Sequence, residues 1–119
     1  MHASDRKEAQ LFTYQARVER VVGADTLRVK VNVGFDHWTR QYLRLRGINA
    51  PEMEDEAGKK AKDFLSRLLV QSPHVLATST RSDKYDRYLA DVFIPLKGDE
   101  RVYVNQRLID EGHAVRVRE

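Results

Sequence analysis

"WTRQYLRLRGINAPEMEDEAGKKAKDFLSRLLV", residues 38–70, changes its hydrophobic period part-way along. In its first part Leu43 and Leu45 alternate with Arg40, Tyr42, Arg44 and Arg46, the two-residue period of a half-buried strand. Parity alone keeps Arg44 off the core face. In its last part Ala57, Ala61, Phe64, Leu65, Leu68 and Leu69 recur at helical spacing and form one apolar stripe. Glu54, Asp55 and Glu56 crowd the first turn of that helix, where carboxylates stabilise the positive end of the macrodipole. Between strand and helix lies "RLRGINAPE", residues 44–52, a strand end running into a loop of the kind that carries polar function.

Upstream, Leu27, Val29, Val31 and Val33 alternate with Arg28, Lys30 and Asn32, a second half-buried strand. Gly23-Ala24-Asp25 reads as the turn that joins it to a preceding strand. Downstream, "QSP" at 71–73 ends the main helix, because the residue before a proline avoids helical backbone. Strands are expected around 74–80 and 87–95, joined by the polar loop "RSDKYDR". A turn at Lys97-Gly98-Asp99 leads to a short last strand, "RVYV". Asn105 is expected to cap a brief helix over 106–111, with Gly112 as its left-handed terminator. The order β-β-β-α-β-β-α suits an α+β chain: a five-stranded antiparallel OB-fold barrel, its main helix between strands 3 and 4, with a short C-terminal helix.

Composition bounds the function. A chain of 119 residues with 41% hydrophobic residues suits one domain, residues 1–119, with residues 1–12 as a flexible arm. It has no cysteine, which excludes disulfides and thiolate metal sites. No apolar run is long enough to span a bilayer. The polar opening "MHASDRKEAQ" is no signal peptide, which points to the cytoplasm; a chain already trimmed of a signal would look the same and be secreted. Basic residues concentrate early, with nine Lys/Arg against five Asp/Glu in residues 1–50, a weak hint of a polyanionic partner.

The polar groups at strand ends include the parts that phosphodiester hydrolysis needs. Asp25 and Asn49 offer hard oxygen ligands for a cation. Glu52 offers a base for an attacking water. Arg44 and Arg87 offer guanidinium groups for phosphate oxygens. Each also has a plainer reading. An aspartate in a turn bonds its own backbone, Arg44 and Arg87 suit surface ion pairs, and Glu52 suits the first turn of the helix. Only the combination distinguishes chemistry from structure.

That combination resembles the staphylococcal nuclease-like (thermonuclease) family in four ordered segments: "GADTLRV", "YLRLRGINAPE", "SDKYDRYLADVF" and "VNQRLIDEGHAV". The resemblance covers roughly residues 14–115. It implies a barrel that cleaves DNA and RNA with Ca2+ and low sequence specificity. Asp25 matches a calcium-ligand aspartate, Asn49 occupies the position of a second, and Ala50 would ligate through its backbone carbonyl. Arg44 and Arg87 match two catalytic arginines and Glu52 the proposed general base. Lys84 and Tyr85 match residues that contact a terminal phosphate, and a base could stack on Tyr85 or Tyr88. The chain departs from the pattern at Asn49 and at Ala24, which replaces a glycine and would be strained at positive φ. Asn49 keeps the oxygen and loses the charge, which implies weaker metal binding. His113 is read as structural or exposed. The alternative is a catalytically weakened domain that binds nucleic acid or protein. The partners implied are DNA or RNA and no membrane, with the chain acting as a monomer or as one domain of a larger protein.

Overall fold

A computed structural model describes residues 12–82 and 87–118. Three strands open the chain: β1 (Thr13–Gly23), β2 (Thr26–Asn32) and β3 (Trp38–Leu45). A two-residue strand β4 (Ile48–Asn49) precedes the main helix α1 (Glu56–Val70). Then follow β5 (His74–Ser82), β6 (Tyr88–Pro95), β7 (Arg101–Tyr103), helix α2 (Val104–Asp110) and β8 (Val115–Arg116). The strand order is β3-β2-β1-β5-β6-β7, and an additional β3–β6 pairing closes five of these strands into a barrel. Four joins of the barrel are antiparallel. The closing one, Leu43–Leu45 against Tyr88–Ala90, is parallel, so the barrel is mixed where the sequence suggested a purely antiparallel one. Closure leaves these strands fewer free edges for stray pairing.

Alternation explains what each strand buries. Leu27, Val29 and Val31 of β2 and Leu43 and Leu45 of β3 point inward, as do Val75, Ala77, Ala90, Val92 and Ile94. Leu65 and Leu69 of α1 and Val104 and Leu108 of α2 join the same core. The inward row of α1 is Gly58, Ala61, Leu65 and Leu69, so the stripe begins at Gly58, and Ala57 is exposed. The helix sits tight at that point. A Cβ built on Gly58 would lie 1.9 Å from the backbone oxygen of Glu52. Glycine is what lets the first turn of α1 lie directly on the Pro51–Glu52 backbone.

Asn105 does not cap α2. It lies in the first turn and is 2% exposed. Its side-chain oxygen accepts from Val92 N–H at 3.0 Å, and its NH2 donates to Arg46 O at 2.9 Å and Ala90 O at 3.0 Å. The helix consequently starts at Val104, two residues before the expected 106. Gly112, with φ of 78°, ends it as expected. His113 N–H reaches Leu108 O and Gly112 N–H reaches Ile109 O, the paired bonds of a Schellman motif.

Candidate active site

Two turns bring Asp25 and Asn49 to one end of the barrel, beside Arg44. The β1–β2 hairpin turns at Ala24-Asp25, next to the Gly23–Thr26 pair. Neither residue has positive φ, so Ala24 is unstrained and lies buried. Such a two-residue turn splays its strands, and a register irregularity between Val21 and Gly23 accompanies it. The turn is tied to β3 by Leu45 N–H donating to Asp25 O at 2.9 Å. Beyond β3, Gly47 at φ 77° bends the chain into β4, which pairs with β8 so that Asn49 lies opposite Val115. Two-residue strands leave no periodic signal, and this pairing was not expected from sequence.

Arg44 is the hub. Its side chain is 14% exposed and that of Asp25 20%, with Nη2 and Oδ2 3.9 Å apart. The same Nη2 donates to Ile48 O at 3.0 Å and reaches Asn49 Oδ1 at 3.5 Å, while Nη1 donates to Leu45 O at 3.3 Å. One guanidinium thus braces the β3–β4 bend and gathers both candidate cation ligands within 4 Å of a single nitrogen. Asp25 is further oriented at both oxygens. Thr26 Oγ1 donates to Oδ1 at 3.2 Å and Ala50 N–H to Oδ2 at 3.4 Å.

Arg87, the residue just before β6, donates to Thr26 Oγ1 at 3.4 Å. The two arginines therefore approach the Asp25–Thr26 turn from different segments, and Thr26 links them. Thr26 is 8% exposed and had no role in the sequence reading. The signal was there, since it follows Asp25 in "GADT". Glu52 stands apart in the loop before α1, with its side chain exposed and without a hydrogen bond or ion pair to another described residue. Its backbone oxygen accepts from Asp55 N–H at 3.1 Å. Lys84 and Tyr85 lie outside the described residues. Arg87 forms no described pair with Asp91, which instead accepts from Arg46 Nε at 2.9 Å and from the Tyr103 hydroxyl. His113 packs its ring against Phe64, with centroids 4.7 Å apart.

Among the described residues no three His, Cys, Asp or Glu gather as a metal site. The donor set of Asp25 carboxylate, Asn49 carboxamide and Ala50 carbonyl is all oxygen, which fits a hard cation completed by water and phosphate rather than enclosed by protein.

A family model described as staphylococcal nuclease homologue matches residues 42–119. The chain belongs to this family. It is 32% identical over 98 residues to an "uncharacterized endonuclease" of Escherichia coli O157:H7, a match covering 82% of this chain and 58% of that protein. An equally named protein of Escherichia coli gives the same figures. "Uncharacterized protein MJ1439" of Methanocaldococcus jannaschii is 28% identical over 126 residues, covering 85% of this chain and 58% of its own length. The chain thus spans 58% of the length of these relatives. The staphylococcal nuclease homologue match includes Arg44, Asn49, Ala50, Glu52 and Arg87 and begins after Asp25. Asp25 enters the site through geometry.

Proposed function

We propose that this domain is a phosphodiesterase of the nuclease type, hydrolysing DNA or RNA with Ca2+ and little sequence preference. The observation that carries this reading is the convergence of Arg44 and Arg87 on Asp25–Thr26, with Asn49 beside them. The endonuclease names of the Escherichia coli relatives support the same activity.

In the proposed chemistry, Arg44 and Arg87 grip the non-bridging oxygens of the scissile phosphate. Their charge counters the charge that grows as phosphorus becomes five-coordinate. Glu52 takes a proton from the water whose oxygen attacks phosphorus in line. The opposite P–O ester bond breaks, and the leaving alkoxide takes a proton from solvent. Side-chain oxygens of Asp25 and Asn49 and the carbonyl of Ala50 would hold the cation, which when bound would supply positive charge to polarise the phosphate. Lys84 and Tyr85 contact a terminal phosphate. Arg44 suits this task because a guanidinium presents its donors in a fixed planar fork, the geometry that matches two phosphate oxygens.

The test is cleavage of single-stranded DNA and RNA in calcium, with and without chelator, beside Glu52→Gln. Chelator-sensitive cleavage that falls by roughly 10²–10⁴ in the variant, the range for a lost general base, is expected. Salt-sensitive binding without any cleavage would replace the enzyme with a binding module.

A further inference from the structure

The outward face of β1–β3 carries more charge than the fold can use. Cross-strand register sets Arg17 beside Lys30 and Lys30 beside Arg40. One step along, Arg20 faces Arg28 and Arg28 faces Tyr42. Directly opposed residues share a face, and like charges so placed destabilise a sheet. Among the described residues this face sets one carboxylate, Glu19, against those five cations. Glu19 lies 3.0 Å from Arg40 and 3.7 Å from Arg28. The hydrogen bond from Arg40 holds its carboxyl below the usual range.

Aromatic rings interleave the cations. Trp38, Arg40, Tyr42 and Arg44 are alternate residues of β3 and so point the same way. Trp38 is 49% exposed and Tyr42 46%. At about 3.4 Å per residue, Trp38 and Tyr42 are roughly 14 Å apart, and the row runs roughly 20 Å to Arg44. Exposed aromatics separated by cations suit unstacked bases alternating with phosphates. A duplex keeps its bases stacked about 3.4 Å apart along each strand and offers them no ring face. A second copy of the same cationic face would be repelled.

We propose that this face is a track for single-stranded nucleic acid, with bases on Trp38 and Tyr42 and phosphates on Arg28, Lys30 and Arg40, delivering the strand to Arg44. The destination rests on the nuclease reading; the binding does not.

Trp38 is the chain's single tryptophan, so its fluorescence reports the track directly. Titration with a twelve-residue oligothymidylate in chelator, where cleavage cannot confuse the readout, should quench it. The log–log salt slope should shrink by about 0.7 for each of Arg28→Ala and Lys30→Ala, the share of one phosphate contact. Tyr42→Ala should bind roughly 5- to 150-fold more weakly, the span of one lost base stack. Fluorescein-labelled oligonucleotide anisotropy gives the same reading for Trp38→Ala, and thermal melting checks that each variant is folded. For turnover, Tyr42→Ala should raise KM for the oligonucleotide more than it lowers kcat, the pattern of lost binding away from the reacting phosphate.

Binding of a folded Tyr42→Ala variant within twofold of the parent would overturn the track. So would equal binding of a matching duplex, or equal quenching by polyglutamate or phosphatidylserine vesicles. Strong, Tyr42-dependent binding with no cleavage of the oligonucleotide in calcium would refute the nuclease reading and leave the track standing.

Discussion

In the proposed site, Asn49 is the ligand whose charge would set how firmly a cation is held. Its carboxamide oxygen lies 3.5 Å from Arg44 Nη2, so the position is occupied and only the charge is missing. Ligand charge sets calcium affinity, and Asn49→Asp should therefore tighten calcium binding by roughly tenfold or more, with Asp25 unchanged. Isothermal titration calorimetry checks this. Equal affinity would mean that Asn49 is not a ligand. Asn105 matters differently. Its three backbone bonds join α2 to Arg46, just beyond β3, and to β6, the closing strands, with Arg44 inside β3 and Arg87 just before β6. Asn105→Ala strands buried groups costing about 1–3 kcal/mol each, partly relieved by water. A loss of roughly 2–4 kcal/mol in urea unfolding is expected. Nothing in "VNQRLID" announces this role, because a buried amide is recognised only by partners far away in sequence.

Helix α1 and the Pro51–Glu52 loop act as one unit through Gly58. Alanine favours a helix interior over glycine by about 1 kcal/mol. Against that stands a Cβ 1.9 Å from Glu52 O, with the Glu52 carbonyl carbon at 2.6 Å and Pro51 O at 2.9 Å, all of them backbone. Overpacking against backbone that cannot swing aside costs up to about 3 kcal/mol, so the clash wins. Gly58→Ala should lose roughly 2 kcal/mol net and slow cleavage by displacing Glu52. Chemical unfolding and turnover on one sample check both, and a raised melting temperature would contradict the contact. The elements themselves were largely legible. Alternation at Leu27–Val31 and Leu43–Leu45 and the stripe Ala61–Leu69 specify strands and helix from local sequence alone. What escaped was non-local: the β4–β8 pairing, the parallel β3–β6 closure and the inward turn of Gly58, whose apolar signal is nil. Asp25, Arg44 and Arg87 each had a plain structural reading, and only a family's ordered motifs singled them out.

At the scale of the whole molecule, barrel closure assembles the site from segments distant in sequence. The join is braced outside by Arg46, Asp91 and Tyr103. Burial, and then the hydrogen bond to Asp91, push the Tyr103 phenol from its ordinary value near 10 up to about 12. A raised folded-state pKa favours the protonated form, so this contribution is complete below about pH 10 and is lost as pH rises toward about 12. Urea midpoints at pH 9 and pH 11 should fall more steeply for the parent than for Tyr103→Phe. Equal falls would mean that closure does not depend on this phenol. Barrel closure brings two arginines to the Asp25–Thr26 turn. The most direct test is the initial cleavage rate of a single-stranded oligonucleotide in calcium for the parent and for Arg44→Ala. Cleavage is expected to be abolished by chelator and reduced about 10²–10⁵-fold by the substitution. Cleavage that survives in a folded Arg44→Ala protein, or that is absent from the parent at every calcium concentration, would contradict it.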